Sequence, residues 1–263
     1  MGELDKQIQE LLDSMSPITL EQMSDIRLMN RLDTKYVASK EQLVQLLGLV
    51  QDKYYVQETL SNRIIPYLTT YYDTCDHCMY IMHHNRRARR MKVRVRTYVA
   101  SGDTFLEVKN KNNHARTKKK RIVVPAQDDF RNTEGAPELV KRKTGLELKN
   151  LNAVVRNQFH RVTLVNKGKT ERLTIDFDIS FHNFETSHDH GTDKLVIIEL
   201  KRDGNVFSPV CNLLRDIHVH PTGFSKCCIG MALTDPSLKQ NNFKPKLRKL
   251  EKINGRPFID HEI

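Results

Sequence analysis

Basic residues at every second position are the chemically distinctive feature of this sequence. Lys92, Arg94 and Arg96 alternate with Val93 and Val95. Because the side chains of a β-strand alternate between two faces, this spacing predicts one cationic face and one apolar face. An arginine guanidinium donates two parallel hydrogen bonds to a phosphate, and a lysine ammonium is a compact positive charge. The pattern therefore indicates a strand suited to contacting phosphate groups.

Four further segments repeat this arrangement, and three of them add carboxylates to the charged face. The charged positions are Glu107, Lys109 and Lys111 in one segment, Lys119 and Arg121 in the next, then Arg172, Asp176 and Asp178, and finally Glu199 and Lys201. A carboxylate beside a bound phosphate requires a cation between them. Oxygen ligands combined with phosphate favour Mn²⁺ or Mg²⁺ over zinc.

The net charge of +11 is concentrated in one part of the chain. Residues 86–121 contain 14 Lys and Arg but only two acids, Asp103 and Glu107, which leaves the rest of the chain close to neutral. Such a concentration predicts a polyanionic ligand: a nucleic acid, a nucleotide, an inorganic phosphate chain or an anionic membrane. For any single strand, the alternative is a solvated sheet face.

A sheet with this many charges on one face can close into a barrel. The interior would then be lined by cations and a few carboxylates, and it would have to hold water or an anion because unpaired buried charges cost several kcal/mol. We therefore predict an α+β protein with a closed antiparallel β tunnel of about eight strands and peripheral helices. The predicted domain spans 1–263, with a core at about 25–235 and a basic tail at 236–263.

Helices and strands are predicted from periodicity and capping signals. Predicted helices cover 2–15, 40–47, 137–144, 208–217 and 225–231, and Ser39 with Gln42 forms a capping box before the second. Besides the charged strands, β segments are predicted at 30–37, 69–73 and 79–83. The tail is expected to be a loosely packed helix or an extended arm.

Cysteine usage and hydropathy predict a cytoplasmic protein. Five cysteines, an odd number, fit reduced thiols. Cys75-x-x-Cys78 is half of a zinc motif without a second pair at finger spacing, so zinc is not favoured. No apolar run reaches the roughly 18 residues of a membrane helix, and the N-terminus lacks the features of a secretory signal.

Nine fragments, in this order, resemble the catalytic domain of the vacuolar transporter chaperone (VTC) polyphosphate polymerases, within the triphosphate tunnel metalloenzyme (CYTH-like) superfamily. They are Arg31-x-x-x-Lys35-Tyr36, Tyr72-Asp73-Thr74, Arg94-x-Arg96-x-Tyr98, Glu107-x-Lys109, Lys119-x-Arg121, Phe159-x-Arg161, Arg172-x-x-x-Asp176-x-Asp178, Glu199-x-Lys201 and Phe224-Ser225-Lys226. The resemblance extends from about Arg31 to Met231.

The resemblance implies a tunnel that holds a nucleoside triphosphate and a growing polyphosphate. The implied catalytic residues are Arg94, Arg96, Lys109, Arg161, Arg172 and Lys226. The implied phosphate-binding residues are Lys35, Lys119, Arg121, Lys201 and Tyr72. The implied metal ligand is Glu199, with Glu107 and Asp178 as additional candidates. Two departures from the family pattern stand out: Arg31 and Asp33 occupy positions where the superfamily often has metal-binding glutamates, and Gly223 replaces a basic residue.

The expected function is metal-dependent polyphosphate polymerase activity that transfers the ATP γ-phosphoryl group to a polyphosphate chain. One alternative is a tunnel triphosphatase that hydrolyses inorganic or nucleoside triphosphate. The other is a non-catalytic polyphosphate or RNA-binding module. ATP and inorganic polyphosphate are the expected partners. Nucleic acid is not expected, because Trp is absent and aromatic residues make up only 7% of the chain. No oligomeric state follows from the sequence.

Overall fold

The computed structural model of this protein describes residues 2–23, 31–113, 117–127, 129–204, 207–255 and 257, and the side chain of Arg31 lies outside this description. Eleven strands and seven α-helices within these residues confirm the predicted α+β class. The strands are β1 (Pro17–Ile18), β2 (Arg31–Ser39), β3 (Tyr54–Gln57), β4 (Ile65–Asp73), β5 (Arg90–Tyr98), β6 (Thr104–Lys111), β7 (Thr117–Val124), β8 (Asn152–Asn166), β9 (Glu171–Asn183), β10 (Asp189–Thr192) and β11 (Leu195–Asp203). The helices are α1 (Glu3–Ser14), α2 (Lys40–Val50), α3 (Cys78–His84), α4 (Ala136–Thr144), α5 (Pro209–Asp216), α6 (Lys226–Thr234) and α7 (Lys244–Asn254).

Eight strands form one antiparallel path in the order β2, β11, β9, β8, β4, β5, β6, β7. The other three strands are side branches, since β10 pairs with β9, β3 with β8, and β1 with β3. The predicted closed barrel is not confirmed: among the described strands, no hydrogen-bonded ladder joins β2 to β7. Part of the β2 edge is covered, because the Thr222 amide donates to the Lys35 carbonyl at 2.6 Å.

Alternate residues of the strands separate an apolar face from a charged one. On β9 and β11, residues such as Leu173, Ile175 and Ile198 pack with the buried residues of α1, α2 and α5. On β5 and β6, Val93 and Leu106 belong to a second cluster that includes α4 residues. The face covered by α1, α2, α4 and α5 is therefore the one predicted to be apolar, and the intervening charged residues point to the opposite face.

The five predicted helices are confirmed, with shifted ends. The capping box before α2 is present: the Gln42 amide donates to Ser39 Oγ at 3.3 Å, and the Ser39 amide donates to Gln42 Oε1 at 3.0 Å. None of the helices in the described residues is both long and apolar enough to cross a membrane.

The β prediction for 79–83 is wrong, because these residues form helix α3. The cause is the buried carboxylate of Asp73 at the end of β4. Its Oδ1 accepts from the Met79 amide and its Oδ2 from the Tyr80 amide, both at 2.9 Å. These amides lie in the first turn of α3, where backbone donors lack helical partners.

The described part of the basic tail forms α7, which is packed rather than loose. Leu247 and Leu250 are buried in a cluster with residues of α6 and the β11 residue Ile197. The longest strand, β8, has 15 residues, and only its Phe159 to Arg161 fragment stands out in the sequence. It occupies the middle of the sheet path, between β9 and β4.

Candidate functional site

A buried ion-pair cluster joins β5, β6 and β7. Arg94 lies opposite Glu107 in the β5–β6 register, and its Nε and Nη2 atoms donate to Glu107 Oε2 at 2.7 and 2.5 Å. Lys119 Nζ donates to Glu107 Oε1 at 2.9 Å. Burial would raise the pKa of this carboxyl, which is 0% exposed, but the positive charges of Arg94, Arg96 and Lys119 hold it far below its usual range.

A second cluster joins β8, β9 and the start of α6. Arg161 forms a bidentate pair with Asp176, at 2.5 Å from Nε to Oδ1 and 2.7 Å from Nη2 to Oδ2. Lys226 Nζ also donates to Asp176 Oδ2. Burial and the nearby Arg161 charge lower the pKa of Lys226 to about 8, although Asp176 acts in the opposite direction.

A third cluster lies on β2 and β11. Lys201 Nζ donates to Glu199 Oε2 at 2.9 Å and to Thr174 Oγ1 at 3.3 Å. Lys35 Nζ lies 4.0 Å from Glu199 Oε1 and donates to the Phe224 carbonyl at 3.2 Å. Burial, with the charge of Arg161 opposing that of Glu199, lowers the pKa of Lys201 to about 8.

Two cations between these clusters lack a carboxylate partner of their own among the described residues. Arg96 is 7% exposed, and its Nε donates to Thr69 Oγ1 at 3.1 Å. Burial and the charges of Arg94 and Arg161 lower its pKa to about 10. The Arg94 charge and burial lower the pKa of Lys109 well below the usual lysine value. An anion between these side chains would relieve their mutual repulsion.

The three clusters converge because the sheet curls. β11 and β6 are five strands apart in the path, which would separate them by about 24 Å in a flat sheet. Nevertheless, Glu199 on β11 raises the pKa of Lys109 on β6. Two other strands five apart in the path, β2 and β5, meet at the start of α6, where Lys35 donates to the Phe224 carbonyl at 3.2 Å and Lys92 to Ser225 Oγ at 2.8 Å. The charged face is therefore concave, as a tunnel requires, although hydrogen bonds between the described strands do not close it.

The three clusters, the two cations without a carboxylate partner and Arg172 comprise nine cations and three carboxylates, an excess of six positive charges within this set. The cations are Lys35, Arg94, Arg96, Lys109, Lys119, Arg161, Arg172, Lys201 and Lys226, and the carboxylates are Glu107, Asp176 and Glu199. The N-terminus of α6 adds to the positive potential, because helix dipoles favour anions there. Its cap residue Ser225 accepts from Lys92 Nζ at 2.8 Å and from the Cys228 amide at 3.2 Å.

Tyr72, an implied phosphate-binding residue, does not lie with these cations. It pairs with Val93 in the register and packs on Phe130 on the opposite face of the sheet, with ring centroids 4.9 Å apart. Its outward position follows the regular alternation of β4, because Tyr71 and Tyr72 pair with Arg94 and Val93 in an uninterrupted register with β5. Tyr71 takes the inward position, where its hydroxyl accepts from Arg94 Nη1 at 3.4 Å.

Asp178 also lies apart from the clusters. It accepts from Lys40 Nζ at 2.6 Å and from His160 Nδ1 at 3.0 Å, so it connects β9 to the start of α2. A second bulge, between Gln158 and His160 of β8, interrupts the register there, and Asp178 has a positive φ of 51°. Arg121 is exposed on the outermost strand β7, with its guanidinium carbon 4.3 Å from the Phe105 ring centroid.

Aromatic rings support the buried cations, a role that the charge pattern does not reveal. Tyr67 and Phe159 stack at 5.3 Å with an interplanar angle of 10°. The Arg161 guanidinium lies 5.0 Å from the Tyr67 ring centroid, and Lys226 Nζ lies 4.4 Å from that of Phe159. Cation–π attraction stabilises charges in such positions. In the sequence, the Phe159-x-Arg161 fragment points to the Phe159 ring, and no pattern points to Tyr67.

The inward carboxylates differ in their fitness for a divalent metal. Both Glu107 oxygens already accept from cations, and Asp178 faces α2, so neither suits a metal ion. Glu199 keeps 21% of its side chain exposed and can offer an oxygen toward the concave face. No group of three or more His, Cys, Asp or Glu side chains in the described parts of the chain forms a metal site. Glu199 therefore fits a metal held chiefly by substrate phosphates, as is common for Mg²⁺.

Comparison with known proteins identifies a family and a fold. The sequence profile of the VTC domain matches residues 30–234. A candidate adenylate cyclase from Bacillus halodurans is similar in structure, with 12% identity over 75% of this chain and 96% of that protein and a TM-score of 0.50. HpAC1 from Hippeastrum, a candidate adenylyl cyclase with a dominant triphosphatase activity, also has 12% identity and a TM-score of 0.50, over 77% of this chain and 95% of that protein. No curated protein matches this sequence. These findings support the fold of the triphosphate tunnel superfamily.

Proposed function

This chain belongs to the VTC domain family, and we propose that it is a metal-dependent polyphosphate polymerase that transfers the ATP γ-phosphoryl group to a growing polyphosphate chain. The excess of six positive charges among the clustered residues of the concave face, nine cations against three carboxylates, is the observation that carries the proposal. A phosphate chain has a regularly spaced negative charge along its whole length. Cations from seven strands and one helix can contact such a chain at successive phosphates.

The unpaired cations are the proposed catalytic groups. Burial and the charges of Arg94 and Arg161 lower the pKa of Arg96, and the charge of Arg94 together with burial lowers that of Lys109. Negative charge on the transferred phosphoryl group would be stabilised by these preorganised cations at no further cost of reorganisation. Hydrogen bonds to Asp176 fix the orientation of Arg161 and Lys226, and these two cations would position the phosphates for in-line transfer.

No protein base is needed for this reaction. The nucleophile is a terminal phosphate oxygen of the acceptor chain, and a terminal phosphate with a second pKa of about 6 is mostly dianionic at neutral pH. The clustered side chains are consistent with this, because they are cations and carboxylates that already pair with cations.

We propose Mn²⁺ or Mg²⁺ as the cofactor, with Glu199 as the protein ligand. The bound metal would neutralise phosphate oxygens and help to align them. Lys201 and Lys35 flank Glu199, which keeps its carboxyl ionised and available, since burial alone would raise its pKa but these charges hold it well below the usual range.

Triphosphate hydrolysis is the second candidate. It uses the same cations but needs a positioned water instead of an acceptor phosphate. Of the three clustered carboxylates, Glu199 has the most exposed side chain, so it is the one best placed to orient such a water. The dominant triphosphatase activity of HpAC1, on a similar fold, is a second reason to test this reaction.

One incubation separates the two reactions. Purified protein is mixed with ATP and Mn²⁺, and the products are analysed for long polyphosphate and for free phosphate. Polyphosphate accumulation is the expected result, and stoichiometric release of phosphate without chains would instead establish the triphosphatase. Arg96→Met should abolish either activity. Lys120→Met, on the outward side of the same basic region, is the matched control and should retain it. Saturable RNA binding without ATP turnover would favour a non-catalytic module.

A further inference from the structure

One end of the concave face carries aromatic rings rather than charges. Tyr67 of β4, Tyr98 of β5 and Phe105 of β6 form a continuous row, which we call the aromatic shelf. The ring centroids of Tyr67 and Tyr98 are 5.0 Å apart, and those of Tyr98 and Phe105 are 5.7 Å apart. The Arg121 guanidinium of β7 covers Phe105 at 4.3 Å. The shelf therefore crosses three neighbouring strands, and Arg121 extends it to a fourth.

The shelf lies on the same face as the phosphate-directed cations. Tyr98 follows Arg96 by two positions on β5, and Phe105 precedes Glu107 by two positions on β6, so each pair points to the same side. Tyr67 also contacts the cations directly, with the Arg96 guanidinium 5.6 Å from its ring centroid. The shelf begins where the cation clusters end.

The two ends of these strands differ in chemistry. On the same face of β5, the first positions are Arg90 and Lys92, whereas the last is Tyr98. On β6, the face begins with Phe105 and ends with Lys111. The shelf rings are partly exposed, and Val123, which pairs with Phe105 in the register, is 67% exposed. Exposed apolar surface beside a strongly polar site indicates a ligand with a flat apolar part.

We propose that the aromatic shelf stacks the base of the nucleoside triphosphate, whose phosphates lie on the adjoining cations. This inference rests on the proposed function, and it adds the orientation and specificity of the donor. Every nucleobase has a π-face that stacks on aromatic rings and on arginine planes. A purine covers more of the shelf than a pyrimidine. The donor then enters with its base at the shelf, and the acceptor chain lies toward Lys92.

Cross-strand aromatic pairs also stabilise sheets, so the test must separate base recognition from stability. Inorganic tripolyphosphate carries the same phosphates without a base. Binding of ATP and of tripolyphosphate is measured by calorimetry with a chelator present, so that neither ligand is turned over. Wild-type protein should bind both, ATP more tightly than CTP, and GTP about as tightly as ATP.

Tyr98→Leu should weaken ATP binding by about tenfold, the effect of losing one stacked base, and leave tripolyphosphate binding within twofold. Phe184→Leu is the matched control: Phe184 is also a partly exposed ring next to an arginine, with Arg156 at 5.0 Å, but it follows β9 outside the clusters. It should change neither affinity. If Tyr98→Leu weakens the binding of ATP and tripolyphosphate equally, or weakens neither, base stacking on the aromatic shelf is refuted.

A second variant keeps the test decisive if Tyr98→Leu does not fold. The chain has no tryptophan, so the indole introduced by Tyr98→Trp is the sole tryptophan fluorophore at the shelf. ATP should quench its emission and tripolyphosphate should not. Identical responses to both ligands would refute base stacking. If wild-type protein binds neither ligand, the proposed function fails; if it binds tripolyphosphate but ignores the base, only the shelf fails.

Discussion

Arg94 and Arg96 lie two residues apart on the same face of β5, yet their removal should change stability in opposite directions. Arg94 neutralises the fully buried Glu107 through two short hydrogen bonds. Arg96 has only the neutral Thr69 hydroxyl as a hydrogen-bond partner among the described residues, and it is repelled by Arg94 and Arg161. Methionine in place of either residue keeps a long apolar side chain and deletes the charge.

The magnitudes follow from the electrostatics of each guanidinium. Burial and the charges of Arg94 and Arg161 lower the pKa of Arg96 from the ordinary arginine value to about 10, which corresponds to a cost of about 3 kcal/mol for keeping it charged in the folded protein. Loss of the bond to Thr69 offsets about 1 to 2 kcal/mol of that gain. Arg96→Met should therefore raise Tm by about 2 to 8 °C. Arg94→Met leaves the buried Glu107 carboxylate with Lys119 in place of two cationic partners. Removing one partner of a buried ion pair costs roughly 3 to 5 kcal/mol, which lowers Tm by about 6 to 20 °C.

Thermal melts of the ligand-free protein by calorimetry test this contrast, together with tripolyphosphate titrations. Both variants should bind tripolyphosphate more weakly than the wild-type protein. Only Arg96→Met should do so while its Tm rises. Arg94→Met combined with Glu107→Gln should recover most of the stability lost in the single variant. Equal destabilisation by the two single substitutions would refute the view that Arg96 is an uncompensated charge awaiting an anion.

Three further outcomes are expected. Because the pKa values of Lys201 and Lys226 are lowered to about 8, tripolyphosphate affinity should fall about tenfold between pH 7.5 and 9.5. Over the same interval, the loss of these two protons should raise the stability of the ligand-free protein in thermal melts, because the unfolded lysines keep their protons to about pH 10.5. Tripolyphosphate affinity that does not change with pH would contradict this prediction. Glu199→Gln should lower metal-dependent turnover at least tenfold, measured as product formed against Mn²⁺ concentration, and an unchanged metal response would remove Glu199 from the site. Asp178→Asn, which breaks the contacts of β9 with Lys40 and His160, should lower Tm and leave that metal response unchanged, whereas a changed response would place Asp178 at the metal.

The inward set of cations was predictable because strand alternation is a local property. Arg94 and Arg96 on β5, and Glu107 and Lys109 on β6, required only that the segments be extended. The capping box of α2 was local for the same reason. These features depend on neighbours in the sequence, and the structure agrees with them. The single domain at 1–263 and the catalytic roles remain predictions.

Long-range contacts account for what the sequence did not reveal. The helix at 78–84 depends on the Asp73 carboxylate reaching the amides of Met79 and Tyr80, and no periodicity in 79–83 shows this. The bulge in the β8–β9 pairing turns Asp178 toward Lys40, although Asp176 and Asp178 would share a face in a regular strand. Bulges are set by the pairing partner, so a strand read alone continues its alternation through them.

By itself, the sequence determined which side chains share a face: the period of two places lysines and arginines together wherever a segment is extended. Only the tertiary structure decided which carboxylate neutralises which cation, and hence that Arg96 and Lys109 carry uncompensated charge. That choice depends on strand order, register and the curl that brings β11 within reach of β6. Electrostatic energy depends on distances between atoms far apart in the chain, which no local pattern contains.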